Sequence, residues 1–194
     1  MLSKEKLAHL YISQKKSMQE IADIFHCSLH KVAYWKNKHG IESRSRSEAT
    51  YIKRNPGGDP FSFRLPRTIS EAKLFGIGLG IYWGEGTKAN KNSIRLGNTD
   101  PKLIHKFMKF LIVFFNIEKN DLRFGLQIFS DISPEKALDF WCKTLTIQKS
   151  QFSRPIVTRS GSLGTYRKKS EYGVVTIMYH NKKMRDLLIK QLPR

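Results

Sequence analysis

The stretch GIGLGIYWGEGTK, Gly76 to Lys88, decides how this chain is read. Five glycines fall within its first eleven residues, among Ile77, Leu79, Ile81, Tyr82 and Trp83 and beside one acid, Glu85. A glycine inside a helix costs about 1 kcal/mol relative to alanine, so the pattern needs a packing reason. Gly76, Gly80 and Gly84 recur every four residues. Residues four apart share one helix face, so these three predict a stripe without side chains. Such a stripe lets another helix approach backbone to backbone, as small residues four apart do in membrane helix pairs. The apolar run is too short to span a bilayer, so the expected partner is a protein helix.

Other glycine-rich motifs do not fit. The dinucleotide fingerprint needs a third glycine, where this chain has Trp83 after Gly78 and Gly80. The phosphate loop needs Gly-Lys-Ser/Thr, where this chain has Gly86-Thr87-Lys88. The tripeptide Gly80-Ile81-Tyr82 is not followed by the second half of a GIY-YIG nuclease signature.

Around this stretch lies a chain of 194 residues with a formal charge of +19 and 40% hydrophobic content. That hydrophobic share supports a packed core rather than disorder. The charge points to nucleic acid or an anionic membrane surface as partner. No uncharged apolar span of about 20 residues occurs, and no signal-peptide pattern opens the chain, so the expected place is the cytoplasm, near the nucleoid. Cys27 and Cys142 form no metal-binding spacing and read as buried small hydrophobes.

Residues 3–41 read as three short helices. Ser17 and Glu20 form a capping box for the second, and Gly40 with Ile41 ends the third. Ile21, Ala22, Phe25, Cys27, Val32 and Trp35 fall where two crossing helices must touch. His26 takes a turn position that is often glycine and that histidine tolerates at positive φ. Residues 17–38 thereby resemble helix-turn-helix DNA-binding domains. The outward face of the third helix then carries Ser28, His30, Lys31, Tyr34, Asn37 and Lys38. Their hydroxyl, imidazole and amide groups suit base edges, and their lysines suit phosphates. Arg44 and Arg46 extend the basic surface.

The expected fold class is α+β, divided into a helix-turn-helix domain at 1–48, a basic linker at 49–69 and a mixed α/β domain at 70–194. Strands are expected at 93–98, 122–129, 151–159 and 172–180. Helices are expected after the Asp100-Pro101 and Ser133-Pro134 starts. The run FMKFLIVFF, Phe107 to Phe115, reads as core. Arg167, Lys168 and Lys169 form a basic loop suited to DNA. Trp83 and Gln127 are read as packing and structural hydrogen bonding, and Glu71 with Lys73 as a local salt bridge.

Residues 78–86, GLGIYWGEG, resemble the nine-residue motif of the LAGLIDADG homing endonucleases, which ends in an acid and a glycine. The downstream SIRLGNTDPKLIHKFMKFL is similar to the strand and helix start that follow in that family. The resemblance implies that Glu85 is the catalytic acid and a ligand of Mg²⁺, with the backbone of Gly84 or Gly86. With one motif copy, it implies a homodimer whose motif helices cross at Gly76, Gly80 and Gly84. The partner is then double-stranded DNA. The activity is a metal-dependent endonuclease, or a transcription regulator that does not cut. The family's DNA-reading hairpin is expected to be short here, because only residues 87–99 are available for it.

Overall fold

A computed structural model describes residues 1–160 and 170–193, which are mixed α+β. Arg167, Lys168 and Lys169 lie outside the described residues. The chain divides into two compact units, Met1–Pro60 and Phe61–Arg194. The boundary, after Pro60, falls inside the expected linker at 49–69.

In the first unit, α1 (Lys4–Ala8) runs on into a π-helical turn over His9–Ser13. The helices α2 (Met18–Ile24) and α3 (Leu29–Lys38) follow. Ser17 and Glu20 make the reciprocal capping box, at 3.1 and 2.7 Å. The turn between α2 and α3 passes through His26 at a φ of 47°. Gly40, at a φ of 68°, closes α3. Its N–H donates to the Asn37 carbonyl, and the Ile41 N–H donates to that of Lys36. These paired bonds satisfy carbonyls that the helix end leaves free. Leu7, Ile21, Ala22 and Val32 are fully buried, and Phe25, Cys27 and Trp35 pack around them. A further helix, α4 (Arg46–Arg54), occupies part of the expected linker and buries no residue.

The second unit starts with an extended segment. The Ser62 and Arg64 N–H groups donate to the carbonyls of Phe115 and Phe114, and Phe61 and Phe63 pack on the core. The motif helix α5 (Ile69–Glu85) follows, capped by Thr68. After it come β1 (Ile94–Asn98), α6 (Pro101–Phe115), β2 (Arg123–Phe129) and α7 (Pro134–Leu145). The unit ends with β3 (Ile156–Thr158), β4 (Val174–Tyr179) and α8 (Lys182–Lys190). The sheet order is β1-β4-β2-β3. β4 is antiparallel to both neighbours, and β3 runs parallel to β2. The last two strands therefore do not pair with each other, and β3 is shorter than expected.

Alternation places Ile94, Leu96, Phe124, Leu126, Ile128, Val175 and Ile177 on the buried face of the sheet. The buried stripe of α6, from Ile104 to Phe115, joins them in one core. The expected core run is thus confirmed. Cys27 and Cys142 are free thiols, half-buried rather than fully so.

Glu71 pairs with Arg64, and not with Lys73 as expected. The Arg64 guanidinium donates to its two oxygens at 2.9 and 2.7 Å, and the Arg67 N–H adds a third bond at 2.8 Å. These bonds, that of Arg64 foremost, lower the carboxyl pKa from 4.5 to about 2. A depressed folded pKa contributes stability that is present above the unfolded value and lost as the pH falls toward the folded one. Glu71→Gln is therefore expected to flatten the acid limb of stability between about pH 4.5 and 2. Acid denaturation of both proteins checks this; identical limbs would remove Glu71 as its source.

Candidate nucleic-acid interface and acidic helix end

On α3, Ser28, His30, Lys31, Tyr34, Asn37 and Lys38 are all exposed and share the outward side, as expected. Ser28 also caps the helix, accepting from the Lys31 N–H at 3.2 Å. Its hydroxyl hydrogen stays available to a ligand. Lys38 lies over the Trp35 ring, 4.9 Å from its centroid, and near Tyr34 at 5.7 Å. The helix is held from behind by Lys36, which is buried and donates to the Ile41 carbonyl at 3.3 Å and to Ser43. The His39 Nε2–H donates to the Leu2 carbonyl at 2.8 Å.

Arg44 departs from the expected phosphate role. Its guanidinium stacks 4.0 Å from the Tyr11 ring centroid and donates to the carbonyls of Tyr11 and Lys16. The Arg44 N–H also donates to the Tyr11 hydroxyl. With its fork turned inward, Arg44 is a clamp on the end of the first helical segment. Arg46 is exposed at the start of α4.

On α5 the glycines divide by role. Gly76, Gly80 and Gly84 are exposed, and a Cβ on any of them would meet nothing within 4 Å. Around them stand the exposed apolar residues Ile69, Ile77 and Trp83. Trp83 is thus not packed into the core, contrary to expectation. Inside the chain, the close approach belongs to Gly78, where a Cβ would lie 2.1 Å from the Phe110 ring. Gly86 is likewise confined: a Cβ there would meet the Tyr82 ring at 2.4 Å.

Glu85 is the last residue of α5 and is exposed. Its carboxylate makes no ion pair or hydrogen bond among the described residues. The nearby Lys88 ammonium donates to the Trp83 carbonyl rather than to Glu85. The negative end of the helix dipole and the carboxylate together favour a cation. Glu85 and the carbonyls of Gly84 and Gly86 are hard oxygen donors of the class that Mg²⁺ takes. One chain nevertheless supplies one carboxylate there, and no three His, Cys, Asp or Glu side chains gather among the described residues. Within one chain the donor set is one carboxylate with backbone carbonyls, so water, phosphate or a second copy would have to complete the shell of a divalent cation.

Next to this helix end lies a groove of about 710 Å³ lined by Trp83, Lys88, Arg185, Ile189 and Lys190, among others. Arg185 donates to the Lys88 carbonyl at 2.8 Å and to Asp186 at 3.0 Å, tying α8 to the loop after α5. Among the described residues, the Tyr82 hydroxyl and the Arg185 Nε are buried without hydrogen-bond partners.

The loop also begins a rudimentary ribbon. Gly86 bridges Leu96, and the Thr87 N–H donates to the Arg95 carbonyl. The short hairpin expected there is reduced to this bridge. Arg95 and Arg123 flank Met178 in one rung across β1, β4 and β2. They lie on the face opposite the core. Burial and these two arginines lower the His180 pKa below its ordinary value. Gln127 is exposed on the same face and has no side-chain hydrogen bond among the described residues, against the expected structural role. Reading for motifs missed this basic face. Its signal was the period-two alternation of IRLGN and RFGLQIF, whose odd-numbered residues include the arginines.

No helix among the described residues is long and apolar enough to cross a membrane. No family model, curated protein or solved structure matches the chain.

Proposed function

We propose that the chain is a homodimeric, sequence-specific binder of double-stranded DNA that cuts its target with a divalent metal. In this reading the first unit is a helix-turn-helix domain, and the second is a LAGLIDADG-like α+β domain. The observation that carries it is the exposed polar face of α3, presented by a buried core and a capped turn in a chain of charge +19. Base edges meet Tyr34, Asn37, His30 and Ser28, and phosphates meet Lys31, Lys38 and Arg46. The open stripe of α5 supports the crossing of two copies. That crossing would bring one Glu85 from each chain to the centre.

The chemistry follows from charge. A divalent cation, held by Glu85 with the Gly84 or Gly86 carbonyl, would activate water and stabilise the leaving oxygen of a phosphodiester. Arg167, Lys168 and Lys169 would hold the backbone, joined by Arg95 and Arg123. A second reading, a transcription regulator that binds without cutting, is favoured by the single carboxylate at each helix end.

A plasmid-library cleavage assay with Mg²⁺ and with EDTA separates the two readings. Binding is tested separately. Tyr34→Ala or Asn37→Ala is expected to lower the preference for the selected site over random duplex, by about 5- to 150-fold where Asn37 loses a bidentate contact. Binding to random duplex should change far less. Equal loss on both sequences would remove α3 as the reading helix.

A further inference from the structure

Helix α4 presents a problem of its own. It has nine residues and no buried side chain. An isolated helix of that length is marginal in water. Local devices favour it: Ser45 accepts from the Glu48 N–H at 3.1 Å, Glu48 sits in the first turn, and Lys53 and Arg54 sit in the last. Such terms contribute only tenths of a kcal/mol to about 1 kcal/mol each.

The arrangement of charge suggests what this helix meets. Arg46, Thr50, Lys53 and Arg54 follow at helical spacing and share one face. The half-buried Tyr51 and Ile52, and the helix's one acid, Glu48, lie on other sides. The Arg46, Lys53 and Arg54 side chains enter no ion pair or hydrogen bond among the described residues, and all three are exposed. They span about 12 Å of helix axis at 1.5 Å per residue. One strand of duplex DNA carries a phosphate every 3.4 Å or so along its axis, about three over that length.

We infer that the face of α4 formed by Arg46, Lys53 and Arg54 is a phosphate-contacting surface, lying along one strand of duplex DNA beside the site bound by α3. The inference rests on the proposed DNA binding and adds an element to it that carries no sequence information. It also gives a reason for a helix to persist where no side chain is fully buried: the polyanion adds a stabilising partner.

The test compares salt dependence. Binding of the full chain to its selected duplex and to a random-sequence duplex is titrated between about 50 and 200 mM salt. The variant combines Arg46→Gln, Lys53→Gln and Arg54→Gln, which leaves the Ser45 cap and the buried core untouched. Three lost phosphate contacts should lower the slope of log K against log salt by about 2.7. Both duplexes should be affected alike, because phosphate contacts carry no sequence preference. A control removes equal charge from the exposed Lys102, Lys106 and Lys109 of α6, and its slope should stay close to that of the wild type. Hydrogen exchange at the amides of residues 50–54 should slow on adding DNA to the wild type. An unchanged slope in the α4 variant, with salt-dependent binding intact in the wild type, overturns the α4 surface alone. An equal drop in the control assigns the effect to bulk charge and also overturns it. Wild-type protein that fails to bind duplex DNA overturns the DNA reading and the α4 surface together.

Discussion

Glu85→Gln is expected to abolish DNA cleavage while leaving the protein folded and bound to its site. The substitution keeps the side-chain volume and removes the charge. A neutral amide is a far poorer ligand for a hard divalent cation than a carboxylate. Cleavage should fall by orders of magnitude. Affinity for DNA should hold or rise, because in the proposed complex one negative charge near the phosphates is lost. The structure makes this a clean test. Glu85 is exposed and enters no ion pair or hydrogen bond among the described residues, so its loss breaks no visible contact. Melting temperature, duplex binding and nicking are measured on one preparation. A wild type that never cuts its bound site in Mg²⁺ or Mn²⁺, with a variant that behaves the same, leaves the regulator reading standing.

The second large effect separates two kinds of glycine on α5. Gly78→Ala places a methyl 2.1 Å from the Cγ of Phe110. Phe110 is fully buried, with the rings of Phe107, Phe114 and Phe115 packed 5.7 to 5.8 Å from its own. It has no free direction in which to swing. Overpacking of this kind costs typically 1–3 kcal/mol, and this site belongs at the upper end. Gly80→Leu behaves otherwise. Its side chain enters open space within one chain, so each chain should still fold. Two crossing α5 helices would be forced apart, and sedimentation should show monomers. A Gly78→Ala protein that melts like wild type would refute the packing account. A Gly80→Leu protein that still dimerises would refute the crossed-helix account.

The legibility of the fold follows where the signals lie. Helix starts written in side chains were readable: Ser17 with Glu20, Asp100 with Pro101, Ser133 with Pro134. The turn at His26 and the stop at Gly40 were readable too, because each demands an unusual backbone and few residues supply it. Helix α4 was hidden because it buries no side chain fully and so leaves no clear apolar period. Only Ser45 and Glu48 mark it. The role of Arg44 was hidden for a related reason. A basic residue in a basic stretch carries the same letters whether its fork faces water or two carbonyls. The glycine stripe was read correctly as a bare face, but Gly78, off that stripe, makes the close contact inside the chain. That distinction needs the position of Phe110, which no local pattern contains. The isolated acid at Glu85 could be placed at a helix end from its motif. The basic rung of Arg95 and Arg123 depends on the strand order, which joins residues far apart in the chain.

That strand order also sets a timetable. β4 lies between β1 and β2, pairing Tyr179 with Ile94 and Met178 with Arg123. Neither of those strands touches the other without it. Closing such distant pairs costs loop entropy before any pairing is gained, which slows folding. On the ribosome the first unit, built from neighbouring segments, can finish early. The phenylalanine-rich side of α6 must wait for residues 174–179 to emerge before its sheet is complete. During that interval its sheet-facing side chains lack their final cover, the kind of exposed apolar surface on which a holding chaperone acts.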